Sequence, residues 1–273
     1  MSGRPAASLH RVCRDARIRL ETGSTDRWDV VLDGAANRNA QTPATWRALA
    51  QVGEAVRSQR PRVVVLRAEG PSFSAGLDRA MFADGLDDEP SLTALASGGD
   101  EEIDATIAGF QAAFTWWREV DAITLAAVRG HAVGAGFQLA LACDLRVVAA
   151  DATFRMAETS LGLVPDLAGT GPLVDLVGYS RALEICVTGR PVGAEEAVRL
   201  GLAEAVVDGD GLLAAVDTLV RALTSAPSGS AVATKHLLAG AVGASSADRL
   251  AFERAAQSRR LRALAEDSRP ARR

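Results

Sequence analysis

Two short apolar runs, RVVVL at residues 62–66 and ITLAAV at residues 123–128, each break off into a glycine-containing turn. This repeated order of strand followed by turn restricts the fold more than any other feature. The first run is β-branched and is closed by Gly70 and Pro71, the pattern of a buried strand. Between such strands lie helical stretches. Residues 43–59 bring Trp46, Leu49, Val52 and Val56 to one side; Thr42 is placed to cap the helix, and Pro43 suits its first position because that N-H needs no partner there. A strand is expected at residues 28–32, ahead of this helix.

Residues 83–104 are acidic, are interrupted by Pro90, Gly98 and Gly99, and keep no period, so they read as a mobile loop or lid. A helix is expected over 104–120, then the strand at 123–128, a glycine-rich turn, a short helix through Ala142 and a strand at 145–148. Beyond Asp166 the chain turns helical, at 173–177, 181–187, 194–200, 212–223, 231–238 and 247–264, with one strand-like piece at 203–207. The expected fold class is α/β, with a core over residues 1–208 and a helical C-terminal region over 209–273 in the same structural unit.

With 273 residues, 48% of them apolar, the chain can bury a substantial core. A formal net charge of -4 offers no broad basic field for nucleic acid or anionic lipid, so neither is expected as a partner. Cys13, Cys143 and Cys186 are far apart and form no metal-ligand or disulfide pattern. No apolar leader and no run of 18 apolar residues is present, and a cytoplasmic location is expected.

Two turns carry the chemistry. SFSAGLD at residues 72–78 and RGHAVGAGFQL at residues 129–139 can each present backbone N-H groups where small residues let a ligand approach the main chain. Two such donors aimed at one point hold an enolate-like oxygen better than a neutral carbonyl. One glycine-rich turn is more often only a tight turn; the ordered pair weighs against that.

SFSAGLD resembles the F-x-A-G-x-D segment of the enoyl-CoA hydratase/isomerase (crotonase) superfamily, and AAVRGHAVGAGFQLALACDLRVVAADATFRMAETSLGLVPDLAGT resembles its central signature. RNA at residues 38–40 and TGRPVGAEEAVRLGLAEAVV are also similar, so the likeness covers residues 28–208. The resemblance implies a spiral of β-β-α turns with a helical C-terminal trimerisation region, acting on acyl-CoA thioesters as a homotrimer or a dimer of trimers. It implies no metal and no cofactor beyond the coenzyme A carried by the substrate. Carried across by position, the oxyanion donors are the amides of Leu77 and Ala135, with Ser74, Ala75, Gly76, Asp78, Gly134 and Gly136 around the substrate.

Hydratases of the superfamily flank the double bond with two Glu residues. The second matches Glu158, the expected acid/base group, whereas the first position holds Gln138, which can hydrogen-bond a water but carries no proton at neutral pH. Moving a double bond from C3 to C2 needs one carboxylate only. Isomerisation is therefore expected slightly ahead of hydration, with a hydratase using Glu158 alone, or a non-catalytic acyl-CoA-binding protein, as alternatives. Asp166 is either a second proton carrier, as in dienoyl-CoA isomerases, or a loop or helix-cap residue before the helix that follows.

Other residues read less specifically. His131 is expected as a packed turn residue, Arg67 and Arg79 as solvated or CoA-phosphate-binding, and Trp46, Phe110, Phe114, Trp116 and Trp117 as core or acyl-tunnel lining. The segment EDSRPARR lacks the family's aromatic tail, so adenine contacts are expected to be weaker or supplied elsewhere. GAGFQL is a poor dinucleotide fingerprint because Leu139 stands where a glycine is needed, and GYSRA at 178–182 lacks the second glycine of a nucleophile elbow.

Overall fold

A computed structural model describes residues 7–83, 85, 86, 89 and 91–267. The chain divides into two units, one ending at Leu219 and one beginning at Val220.

The first unit opens with α1 (Ala7–Asp15), β1 (Ile18–Glu21), β2 (Arg27–Leu32), α2 (Pro43–Gln59) and β3 (Val63–Ala68). It continues with α3 (Leu92–Leu95), α4 (Asp100–Glu119), β4 (Ile123–Val128), β5 (His131–Val133), α5 (Ala135–Ala142), β6 (Leu145–Ala149) and β7 (Thr153–Arg155). α6 (Thr170–Val177), α7 (Tyr179–Thr188), β8 (Val192–Gly193), α8 (Ala194–Leu200) and β9 (Ala205–Val207) follow, and α9 (Leu212–Ser225) runs across the boundary between the units. The second unit holds α10 (Ser228–Ala241) and α11 (Ser246–Asp267), which pack on each other. Among the described residues, no helix is long and apolar enough to cross a membrane.

Six strands form one sheet in the order β1-β2-β3-β4-β6-β9, parallel except for β1 against β2. Its central strands are apolar on both faces and buried on both, as a parallel sheet covered by helices requires. A second, three-stranded sheet has the order β5-β7-β8. The chain visits the two sheets alternately. β4 leads to β5 and then α5, and β6 leads to β7 and then to helices, so each circuit adds one strand to each sheet before a helix returns. The circuit begun by β3 reaches the second sheet only as a single parallel bridge, Ser74 opposite Ala132.

α2 starts where its cap and proline indicate: the Thr42 hydroxyl accepts from the Thr45 N-H, and Pro43 is the first helical residue. α1, β1, β5 and β7 are additions to the sequence reading, and three-residue strands such as HAV and TFR carry too little pattern to be read. The acidic stretch at 83–104 is a correction. It is not loop throughout, because α3 lies within it and α4 starts at Asp100 with Asp100, Glu101 and Glu102 in its first turn, where the helix dipole favours them. Positions 84, 87, 88 and 90 of that stretch, and the end of the EDSRPARR segment, lie outside the described residues.

Candidate functional site

The two glycine-containing turns lie side by side. The Phe73 N-H donates to Arg129 O, the Ser74 N-H to His131 O and the Val133 N-H to Ser74 O, at 2.9, 2.9 and 3.0 Å. This ladder fixes residues 72–76 along β5. Gly76 has φ +86°, and a Cβ there would lie 2.6 Å from Val133 O and 3.6 Å from Ala135 N. Only glycine allows both the left-handed backbone and the close approach.

The chain on both sides of Leu77 is held by Gln41. The Gln41 N-H donates to Gly76 O at 2.7 Å, and the Asp78 N-H donates to Gln41 O at 2.8 Å, so the carbonyl of the Gly76–Leu77 peptide and the N-H of the Leu77–Asp78 peptide are both engaged. Ala135 is the first residue of α5, where an N-H has no acceptor within the helix. Among the described residues, neither the Leu77 nor the Ala135 amide donates to a protein acceptor.

A buried polar chain holds the first turn. The Ser74 hydroxyl donates to Asn39 O at 2.8 Å and accepts from Gln41 Nε2 at 3.0 Å and from the Gly76 N-H at 3.2 Å. The indole of Trp46 donates to Gln41 Oε1 at 2.8 Å, and Asn39 Nδ2 donates to Glu69 O and Ser72 O. Ser74 is fully buried, so its hydroxyl braces the turn from within. Gly136 packs on the same residue, where a Cβ would approach Ser74 Cβ to 2.7 Å. Ala75 is exposed, and Asp78 caps the 3-10 turn Arg79–Phe82 by accepting from the Ala80 N-H at 3.1 Å. Sequence reasoning missed Gln41; nothing in a single polar residue ahead of a helix cap signals a role in the turn at 76–78.

Glu158 starts a 3-10 turn after β7 and is 9% exposed. Gly134, at φ +51°, leaves room for it: a Cβ there would lie 3.1 Å from Glu158 Oε1. Gln138 Nε2 donates to Glu158 Oε1 at 2.8 Å, whereas Oε2 has no hydrogen-bond partner among the described residues. Burial pushes the Glu158 carboxyl above the ordinary glutamate range; the Gln138 amide draws it down, and the nearby Asp166 charge adds to the rise. Burial also raises Asp166. Asp166 lies in the loop before α6, as one reading of it holds, but it does not cap that helix, which starts at Thr170 after a Gly169 cap.

Several sequence readings resolve otherwise. His131 is exposed rather than packed, since its backbone, and not its ring, serves β5. Arg67 is drawn into a partly buried network with Glu21, Asp29 and Glu69, which occupies its guanidinium. Trp116 and Trp117 are stacked and buried, and Trp46 packs on Phe110 and Phe114. These five aromatic residues belong to, or pack against, the core cluster. Ser180 follows α6 and not a strand, which removes the nucleophile-elbow reading.

The site thus combines two neighbouring amide donors with a buried carboxylate that keeps one oxygen unengaged. Such a set suits chemistry in which an oxygen gains negative charge while a proton moves beside it.

The enoyl-CoA hydratase/isomerase family model matches residues 29–266. Enoyl-CoA isomerase/hydratase claC of Penicillium crustosum is 47% identical over 88 residues, which are 32% of this chain but only 10% of that protein. The probable enoyl-CoA hydratase echA8 of Mycobacterium tuberculosis is 32% identical over 185 residues, 62% of this chain and 72% of its own. The "putative enoyl-CoA hydratase" of Thermobifida fusca YX, crystallised in complex with CoA, matches with TM-score 0.87 at 43% identity over 97% of this chain and 100% of that one. In complex with acetoacetyl-CoA it matches with TM-score 0.87 at 44% identity, over 94% and 98%.

Proposed function

Because the chain belongs to the enoyl-CoA hydratase/isomerase family, the crotonase superfamily of enzymes, we propose that it acts on an acyl-CoA thioester and moves a double bond from C3 to C2 in preference to adding water. The amides of Leu77 and Ala135 form the oxyanion hole around the thioester oxygen. Glu158 takes a proton from C2 as that C-H bond breaks, the electron pair spreads into a dienolate whose oxygen the two amides stabilise, and the same carboxyl returns a proton to C4. The observation that carries this reading is the buried Glu158, whose Oε2 is unengaged while its carboxylate lies against Gly134, next to the Ala135 donor.

Hydration needs one group to deprotonate water and another to deliver a proton. Gln138 is a neutral amide and supplies neither, which is why isomerisation is preferred. Asp166, half-buried with its carboxyl raised by burial, is proposed as an auxiliary carrier for longer proton transfers. The reaction involves no net redox change and meets its charge with N-H dipoles, so coenzyme A enters only as part of the substrate. Cys13, Cys143 and Cys186 form no disulfide among the described residues, which fits a cytoplasmic setting.

The test compares 3-enoyl-CoA with 2-enoyl-CoA esters on the purified chain, followed by formation or loss of the conjugated thioester. Faster conversion of the 3-enoyl ester is expected. Faster hydration would reverse the preference, and tight binding without turnover of either ester would leave a binding protein.

Assembly as a trimer or paired trimers is proposed with the same reading. Leu238, Val242, Leu250, Phe252, Leu261 and Leu264 are exposed in the second unit, an apolar display suited to self-association. Light scattering should give three or six times the chain mass of 28.4 kDa; a monomer would refute it.

A further inference from the structure

We infer that Gln138 is a positioning residue: its amide, held in one orientation by the loop at 167–169, grips Oε1 of Glu158 and leaves Oε2 as the oxygen that exchanges a proton with substrate. This rests on the reading of Glu158 as the acid/base group, and it assigns to Gln138 a task other than binding water.

α5 is buried along its whole length, and Gln138 is the one side chain in its sequence AGFQLALA that carries hydrogen-bonding groups. A buried amide needs partners on both sides. Gln138 Oε1 accepts from the Leu167 N-H at 2.9 Å and from the Gly169 N-H at 3.3 Å, while Nε2 donates to Glu158 Oε1 at 2.8 Å. The reverse orientation would turn an NH2 group onto two N-H donors and a carbonyl onto a carboxylate. Neither contact is tolerable, so the loop sets the polarity of the amide and the amide sets the carboxylate.

The loop is built for this. Ala168 takes a left-handed φ of +60°, which a residue with a side chain seldom adopts, and it stands between the two donating residues. Gly169 must lack a side chain, because a Cβ there would come within 2.7 Å of Gln138 Cγ. Gln111 of α4 anchors the loop by donating to Asp166 O at 2.7 Å. On the far side, Gly134 lies closer to Oε1 than to Oε2, with a built Cβ at 3.1 and 3.8 Å. Oε1 is therefore enclosed by Gln138 and Gly134, and Oε2 alone has no protein partner among the described residues.

A donor to the ionised carboxylate favours that form and opposes the effect of burial. Its removal should raise the midpoint at which Glu158 titrates. The measurement is carbon-13 NMR of the carboxyl groups of the full, ligand-free chain labelled on Glu, with Glu158 identified by loss of its signal in Glu158→Gln. Gln138→Leu should move the midpoint upward. If that variant unfolds, Gln138→Glu serves: its carboxylate can still accept from Leu167 and Gly169, but it faces Glu158 with an acceptor, and the pair should hold one proton to about one pH unit or more above the wild-type midpoint. A midpoint unchanged in a folded variant would overturn the assignment. Turnover plays no part in this titration, so failure of the isomerase reading, seen as an active Glu158→Gln, is separately recognisable.

Discussion

Glu158→Gln is expected to lower turnover of a 3-enoyl-CoA ester by about 10²–10⁴-fold, the contribution of a positioned acid/base group, while CoA-ester affinity stays close to that of the parent chain. The replacement has the same shape, and its oxygen can still accept from Gln138 Nε2, so the site keeps its geometry and loses only its proton carrier. In the proposed mechanism the thioester oxygen is held by main-chain donors at Leu77 and Ala135, which the substitution leaves alone. Steady-state kinetics alongside calorimetric binding of an unreactive acyl-CoA checks both halves, and turnover within a factor of a few of the parent would reject Glu158 as the base. The parent enzyme should also show an acid limb. The ionised form takes the first proton, and burial raises the carboxyl above the ordinary glutamate range, so activity should fall as the pH drops through a midpoint higher than that of a free glutamate.

The second large effect concerns stability. Arg146, in β6, is fully buried and reaches across the end of α5: it donates to Cys143 O at 2.8 Å, to Asp144 O at 3.3 Å and to Ala140 O at 3.5 Å, and also to Leu202 O. Burial pulls the guanidinium below its ordinary range, and Glu204, at 3.6 Å, is its ion-pair partner. A cation at the carbonyl end of a helix is favourable, and here it ties α5 to the segment leading into β9. Arg146→Met keeps the length and removes every donor. Several buried carbonyls then lose their partners, a cost on the order of 3 kcal/mol. For a chain of this size that corresponds to a fall in Tm of roughly 6–12 °C. Thermal unfolding followed by circular dichroism reads it directly, and a Tm within about 2 °C of the parent would show that the carbonyls find water instead.

Much of the fold was legible because its longest elements carry strong local patterns. β3 and β4 are unbroken apolar runs since both faces of a parallel strand are covered, and α2 announces its start through Thr42 and Pro43. α4 was read four residues short at its start because its first turn is acidic and apolar periodicity begins only farther on. His131 and Arg67 were misjudged for a shared reason: the orientation of a side chain at a strand end or sheet face depends on neighbours distant in sequence.

The sequence alone determined the alternating α/β order, the two turns able to expose backbone donors, and a glutamate in the segment where this family carries its acid/base group. Those features live within a few residues of chain, where glycine, proline and β-branched side chains act directly on the backbone. Tertiary structure alone decided that Gly76 lies against Ala135, that Gln41 and Ser74 brace the first turn, that Arg146 reaches Leu202 O, and that Gln138 faces Glu158 with its N-H side. Each of these is a pairing between residues some tens of positions apart or a choice between two orientations of one amide, and such choices are settled by which groups remain unsatisfied once the core has closed.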